Sequence, residues 1–159
     1  LVTIHRQENT ASRENLKVLI SLLKEISKVS KVILPLHPGT KKIILEYGLE
    51  KEINNLHIID PLSYFDFMHL MSKSLGVVTD SGGIQEETTY LKIPCCTLRN
   101  NTERPVTVEY GSNKLFSLKL ESLELMIKHL KTDFSNNKPI KFWDKNVSKR
   151  IFKKIKKII

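Results

Sequence analysis

Short apolar runs alternate with amphipathic segments along most of the chain, a pattern typical of a parallel β-sheet covered by helices. Six apolar runs predict strands at residues 1–4, 31–36, 56–59, 75–78, 94–98 and 113–116. Apolar positions at helical spacing predict helices at residues 12–28, 40–47, 63–72, 84–91 and 120–131, with a short helix after Pro105. We therefore predict a single α/β domain over residues 1–159, with helices on both faces of one parallel sheet.

Polar residues follow five of the six predicted strands, at the point where each strand ends. These groups are His5-Arg6, His37-Pro38, Asp60-Pro61, the run from Asp80 to Gly83, and residues 99–104. The carboxyl ends of parallel strands lie at one edge of a sheet, and ligands of such sheets bind just beyond that edge. The sequence therefore predicts a ligand site there.

The turn after the fourth strand, Ser81-Gly82-Gly83, leads directly into a predicted helix. Free backbone N–H groups and the positive end of a helix favour an anion at such a turn. The two glycines would let the main chain approach a phosphate, and Ser81 adds a hydroxyl donor. The turn lacks both the Walker and the GxGxxG spacing, so an ordinary turn with a serine cap is an alternative of equal weight at this point.

Two other side chains at this edge carry useful chemistry. His5, beside Arg6, is a candidate acid–base group or phosphate donor, with a purely structural role as the alternative. Arg104 is able to direct two hydrogen bonds onto a phosphate, and its alternative is a surface ion pair with Glu103 or Glu109.

Three further residues have both a functional and a structural interpretation. Glu87 is a candidate acceptor for ribose hydroxyls, but a carboxylate early in a helix is also favoured by the helix dipole. Phe67 offers an apolar wall for a base, although a helical phenylalanine more commonly packs in a core. His37, taken alone before Pro38, favours a structural role.

Composition restricts the function classes. Apolar residues make up 40% and charged residues 27% of the 159, as in an ordinary globular domain. No apolar run approaches the length of a membrane span, so we expect no membrane partner. The net charge is +9, but much of the excess positive charge lies in residues 141–157, so a basic nucleic-acid-binding module is only the less favoured alternative.

The two cysteines, Cys95 and Cys96, are adjacent and fit neither a disulfide framework nor metal-ligand spacing. We therefore predict a reducing cytoplasm and no metal.

Residues 147–159 predict a terminal amphipathic helix. Its apolar face comprises Ile151, Phe152, Ile155, Ile158 and Ile159, and lysines occupy the other face. A membrane surface or a nucleic acid would suit such a helix. We expect instead that its apolar face docks on protein.

The combination of these motifs resembles the non-hydrolysing UDP-N-acetylglucosamine 2-epimerases. The resemblance rests on the segments His5-Arg6-Gln7-Glu8-Asn9, His37-Pro38, Asp60-Pro61, Asp80 to Glu87, and Thr102-Glu103-Arg104-Pro105. It covers nearly the whole chain, but only the carboxyl-terminal half of that two-domain enzyme. The implied fold is a Rossmann-like three-layer parallel sheet, the second domain of a glycosyltransferase-B-type architecture.

The resemblance implies a reaction and a role for each site residue. Members of the family invert carbon 2 of UDP-N-acetylglucosamine by eliminating UDP and adding it back, without a cofactor. The implied contacts are Ser81, Gly82, Gly83 and Arg104 with the diphosphate, Glu87 with the ribose, Phe67 with the uracil, His5 with the leaving phosphate, and Arg6 and His37 with a second, activating substrate molecule. The implied partners are a UDP-sugar, the amino-terminal domain and, in the full-length protein, a second copy.

Departures from the family pattern modify these expectations. The carboxylates that move the proton belong to the amino-terminal domain, which this sequence lacks, so we expect UDP binding without turnover. Gln7 replaces an arginine common in bacterial members and Leu62 replaces a polar residue seen in some, which argues against allosteric activation. Ser117 replaces a usual glycine after the sixth strand. Gly83 favours plain UDP-N-acetylglucosamine over modified UDP-sugars. A hydrolysing epimerase or a glycosyltransferase of the same architecture is the alternative enzyme.

Overall fold

A computed structural model describes residues 1–158 of the chain, and within them it contains six strands and eight α-helices. The strands are β1 (Val2–Thr3), β2 (Ile33–Pro35), β3 (His57–Ile59), β4 (Val77–Thr79), β5 (Cys95–Leu98) and β6 (Asn113–Phe116). The helices are α1 (Gln7–Thr10), α2 (Arg13–Ser27), α3 (Pro38–Glu46), α4 (Tyr64–Ser72), α5 (Gly82–Leu91), α6 (Pro105–Glu109), α7 (Leu123–Leu130) and α8 (Val147–Ile155). All six predicted strands are present, whereas the one-turn helix α1 was not predicted.

The strands are all parallel, which confirms the predicted α/β fold class. They form a four-stranded sheet in the order β1-β4-β5-β6 and a separate β2-β3 pair beside β1. The predicted single six-stranded sheet is therefore interrupted between β1 and β2. Strand β1 spans only two residues, and the next carbonyl, that of Ile4, accepts a hydrogen bond from the Thr40 hydroxyl at 3.1 Å.

Helices cover both faces of the four-stranded sheet. Alternate residues of a strand point to opposite faces, and in β4 Val78 belongs to the main core while Val77 belongs to a smaller cluster. The main core includes the buried stripe of α2, with Leu16, Leu19, Ile20, Leu22, Leu23 and Ile26, together with Met126 of α7. The smaller cluster joins Val77 to Met71 of α4 and Ile84 of α5. The structure therefore has three layers.

Helix α8 leaves its apolar face uncovered. Ile151, Phe152 and Ile155 are 54%, 69% and 49% exposed, and Ile158 beyond the helix is 83% exposed. This face therefore does not dock on residues 1–158. Docking on protein outside these residues stays a prediction, because periodicity identifies an apolar face but not what covers it. Ile159, the last member of the predicted face, lies outside the described residues. Among those described, no helix combines the length and apolar character needed to cross a bilayer.

Candidate functional site

The turn between β4 and α5 presents the start of a ten-residue helix at the carboxyl edge of the sheet. Ser81 occupies the N-cap position in an extended conformation, with φ −88° and ψ 133°, and its backbone N–H donates to the Thr79 hydroxyl at 3.0 Å. The Ser81 hydroxyl forms no capping hydrogen bond to α5. Both this hydroxyl and the first N–H groups of α5 are thus available to a ligand.

The two glycines of this turn leave space that the protein itself does not use. A Cβ atom at Gly83 would meet no atom within 4 Å, and one at Gly82 would meet only Glu103 Oε2, at 3.9 Å. Neither glycine has a φ in the left-handed region. Neither packing nor backbone conformation therefore requires a glycine here. What the two residues provide is an open approach to the positive end of α5.

Asp80 organises the loop that carries His5. Its buried carboxylate accepts hydrogen bonds from the backbone N–H of Arg6 at 2.9 Å and from that of His5 at 3.2 Å. The side-chain amide of Asn9 donates to the same carboxylate at 3.1 Å and to the carbonyl of Leu98 at 3.1 Å. The loop after β1 is therefore attached to the ends of both β4 and β5.

Two histidines lie side by side at this edge. The Nδ1 atom of His5 lies 3.4 Å from Asp80 Oδ1, and its imidazole is 44% exposed. The ring centres of His5 and His37 are 5.9 Å apart. Nδ1 of His37 accepts the backbone N–H of Gly39 at 3.1 Å and so caps α3. The structure thus places His5, to which the resemblance gives the leaving phosphate, beside His37, to which it gives a second substrate molecule. His37 also has a structural role as the cap of α3.

Arg104 contacts α5 itself. Its Nε lies 3.0 Å from Oε2 of Glu86, and both side chains are close to half exposed. This partner differs from the predicted ones, Glu103 and Glu109, because tertiary packing brings the loop before α6 against α5. An exposed pair of this kind contributes about 0–1 kcal/mol, so an incoming anion would displace Glu86 at small cost.

A buried arginine connects the two loops that flank the turn. Arg99 is 8% exposed, and its guanidinium donates to both carboxylate oxygens of Glu103, at 2.8 and 3.0 Å. Its Nε lies 3.1 Å from Glu8 Oε1, in an ion pair without hydrogen-bond alignment. Hydrogen bonding from Arg99 holds the pKa of Glu103 down at about 2, and the charge of Arg6 adds to this effect. Arg99 therefore links the His5 loop to the Arg104 loop.

Glu87 and Phe67 lie on the side of the turn nearest α4. Burial raises the pKa of the Glu87 carboxyl, and a hydrogen bond from the Tyr64 hydroxyl offsets part of that rise. Phe67 is partly buried and packs against the smaller core cluster, as the structural interpretation anticipated. Tyr64, by contrast, is 61% exposed. Tyr64 received no role from the sequence, because its contact with Glu87 is long-range.

The opposite edge of the sheet offers less to an anionic ligand. A groove of about 320 Å³ with a mostly apolar lining lies at this edge. It is lined by Leu1 and Gly76, which precede β1 and β4, and by Ile33, the first residue of β2. Across residues 1–158, no three His, Cys, Asp or Glu side chains are grouped closely enough to hold a metal ion.

Comparison with known proteins places these features in a family. The profile described as UDP-N-acetylglucosamine 2-epimerase matches residues 1–156. A UDP-N-acetylglucosamine 2-epimerase of Methanococcus maripaludis is 41% identical over an alignment of 157 residues, which covers 95% of this chain and 42% of that protein. A UDP-2,3-diacetamido-2,3-dideoxy-D-glucuronate 2-epimerase of Pseudomonas aeruginosa is 40% identical over 116 residues, covering 72% of this chain and 32% of that protein.

Solved structures give the same result for the fold. The UDP-GlcNAc 2-epimerase of Methanocaldococcus jannaschii, in complex with UDP-GlcNAc and UDP, superimposes with a TM-score of 0.87 at 36% identity. The match covers 98% of this chain and 44% of that one. The chain thus spans less than half the length of the relatives it matches.

Proposed function

Because the chain belongs to the UDP-N-acetylglucosamine 2-epimerase family, we propose that it is the UDP-binding half of an enzyme that interconverts UDP-N-acetylglucosamine and UDP-N-acetylmannosamine. The observation that carries this proposal is the open space at Gly83, at the positive end of α5. A diphosphate fits such a site because it supplies two adjacent anionic groups to free N–H donors. The relative from Methanocaldococcus jannaschii, whose structure holds UDP-GlcNAc and UDP, supports the choice of nucleotide.

Each part of the nucleotide has a proposed partner. Ser81, Gly82 and Gly83 bind the diphosphate through the hydroxyl and the backbone N–H groups, and Arg104 turns from Glu86 to the same group. Glu87, early in α5, accepts the ribose hydroxyls, with Tyr64 orienting its carboxylate. Phe67 provides the apolar side of the uracil pocket. These assignments use one continuous surface around the start of α5.

His5 has the proposed role closest to the reacting bond. In the proposed reaction the carbon-2 proton is removed, the bond between carbon 1 and the UDP oxygen breaks, and UDP adds back after protonation on the other face. The half-exposed imidazole of His5, held by the loop that Asp80 organises, donates to the departing phosphate and stabilises its charge. The carboxylates that move the proton come from the remaining part of the enzyme, so this chain alone binds UDP without turnover.

Fewer observations support the proposals on regulation, on partner domains and subunits, and on the cellular location. Arg6 and His37 would bind a second substrate molecule beside His5, whose ring centre lies 5.9 Å from that of His37. The departures at Gln7 and Leu62 argue against activation by that molecule. The proposed partners are the amino-terminal domain and, for the whole enzyme, a second copy. The two free, buried cysteines, Cys95 and Cys96, favour a reducing cytoplasm.

Calorimetric titration of this chain with UDP tests the proposal. We expect a dissociation constant of about 0.1–1 mM, since half of a cleft supplies the contacts. Arg104→Ala and Gly83→Val should each weaken binding at least about tenfold, a loss of about 1.4 kcal/mol. Arg150→Ala is the matched control, because Arg150 lies on the separate helix α8, has a similar exposure, and forms an ion pair with Asp144, which precedes that helix. This control should bind UDP like the wild type.

Several outcomes would count against the proposal. No heat at millimolar UDP would contradict binding by this chain alone, and equal losses in Arg104→Ala and Arg150→Ala would indicate a general charge effect. Preferred uptake of an unrelated oligonucleotide with steep salt dependence would favour a basic nucleic-acid-binding module. For a protein that contains both halves, the products decide among enzymes: free N-acetylmannosamine indicates hydrolysis, and transfer to an acceptor indicates a glycosyltransferase.

A further inference from the structure

A buried amide lies on the same helical turn as the proposed diphosphate site. Gln85 is on the first turn of α5, three residues after Gly82, and its side chain is fully buried. Its Oε1 accepts two hydrogen bonds, from the Thr102 hydroxyl at 2.6 Å and from the Asn113 side-chain amide at 3.0 Å. Gln85 thus connects the glycine turn with the loop before α6 and with β6.

The same network holds the backbone of Arg104 from both sides. The N–H of Arg104 donates to the Thr102 hydroxyl at 3.0 Å. The carbonyl of Arg104 accepts the Thr107 hydroxyl at 2.7 Å, and that hydroxyl accepts the Asn113 amide at 3.0 Å. Both routes therefore lead from Arg104 to Gln85, one through Thr102 and the other through Thr107 and Asn113.

Donor and acceptor roles fix the orientation of the Gln85 amide. The Asn113 amide nitrogen donates to Gln85, and its oxygen accepts from Thr97 at 2.6 Å. A reversed Gln85 amide would place N–H groups against this donor. The observed orientation leaves Nε2 of Gln85 buried without a hydrogen-bond partner among the described residues. Such an unpaired group costs about 1–3 kcal/mol, so stability alone does not account for a glutamine here.

We propose that Gln85 is a positioning residue that sets the place of Arg104 relative to the Gly82-Gly83 turn. This inference rests on the proposed function, since a UDP diphosphate is the ligand that both elements would hold. Displacement of a guanidinium by a fraction of an ångström is enough to lose a two-point contact with phosphate. The buried Oε1 of Gln85 accepts from Thr102, before Arg104, and from Asn113, after it. These two hydrogen bonds prevent displacement of the Arg104 loop.

A double-mutant cycle tests whether Gln85 acts through Arg104. Gln85→Met keeps the length of the side chain but removes the acceptor. NMR titration with UDP should show binding about tenfold weaker for Gln85→Met than for the wild type, and a change below about twofold when Arg104→Ala is already present. Thr88→Val is the matched control, because Thr88 is buried on the same helix and its hydroxyl donates to carbonyls of that helix. An equal effect of Gln85→Met in both backgrounds would overturn the proposal.

Hydrogen exchange gives a second readout that needs no nucleotide. The backbone N–H groups of Arg104 and Thr107 should exchange at least about tenfold faster in Gln85→Met, and unchanged exchange would also overturn the proposal. If the wild type does not bind UDP, the proposed function fails, while the exchange rates still decide whether Gln85 positions the loop. If Gln85→Met does not fold, Thr102→Val removes the link between Gln85 and Arg104 at a partly exposed position.

Discussion

Replacing Asp80 with asparagine tests whether its carboxylate organises the His5 loop. The buried carboxylate accepts from the backbone N–H groups of His5 and Arg6 and from the side chain of Asn9, at 3.2, 2.9 and 3.1 Å. Asparagine has a single acceptor oxygen, and its own NH₂ group would face at least one of these donors. Each buried donor left unpaired costs about 1–3 kcal/mol, and a hydrogen bond to a charged group contributes about 1.5–3 kcal/mol. We therefore expect the free energy of unfolding to fall by about 3 kcal/mol.

Urea unfolding at neutral pH, followed by circular dichroism, measures this change. The matched control is Asp60→Asn, because Asp60 is exposed and follows β3 at the same edge of the sheet. The control should stay within about 0.5 kcal/mol of the wild type, as surface substitutions usually do. If Asp80→Asn also stayed within that range, the carboxylate would not be what holds the loop.

Three other predictions follow from burial and charge. Gly111→Ala should reduce the free energy of unfolding by about 2 kcal/mol, because its Cβ would collide with the backbone carbonyl oxygen of Thr107. The ion pair of Glu103, whose pKa is lowered from 4.5 to about 2, should stabilise the protein above pH 4.5, and this stabilisation should disappear as the pH falls towards 2. The thiols of Cys95 and Cys96 should not react with a disulfide reagent in the native state, since burial raises both pKa values, that of Cys95 to about 11.

Each of these three predictions has a control measurement and a result that would contradict it. Gly83→Ala is the control for Gly111→Ala, because its Cβ has open space, and similar unfolding midpoints for the two would contradict the packing argument. For Glu103, urea midpoints of the wild type and Glu103→Gln should differ at neutral pH and converge in acid; a constant difference would argue against the ion pair. For the thiols, unfolding in urea should expose both to the reagent, and fast reaction of the native protein would contradict their burial.

Local patterns were enough to predict the elements and the edge where the site lies. Buried strands and amphipathic helices carry their periodicity in neighbouring residues, so all six strands and the long helices were found. The glycine turn was found because strand, turn and helix are consecutive in the chain. Helix α1 is only four residues long, which is too short for a periodic signal.

The polar contacts that build the site could not be predicted in the same way. Asp80 meets His5 across 75 positions of sequence, and Gln85 meets Asn113 across 28. Such contacts depend on how the strands are ordered, and nothing in either local segment records the partner. The ion pair of Arg104 with Glu86 was missed for the same reason. A polar residue directly after a buried strand, as Asp80 is, was the one available signal.

The interruption between β1 and β2 places the residues of the site on two parts of the sheet that share no strand ladder. Within the described residues, β2 is hydrogen-bonded to β3 and β1 to β4. The two parts of the sheet meet through packed side chains and through the hydrogen bond from the Thr40 hydroxyl to the Ile4 carbonyl. Packing is non-directional, whereas ladder hydrogen bonds fix the register of strands. Small sliding along this seam therefore breaks no ladder hydrogen bond between strands. His5 follows β1 and His37 follows β2, so sliding along the seam changes the 5.9 Å separation of their rings without disturbing either strand ladder.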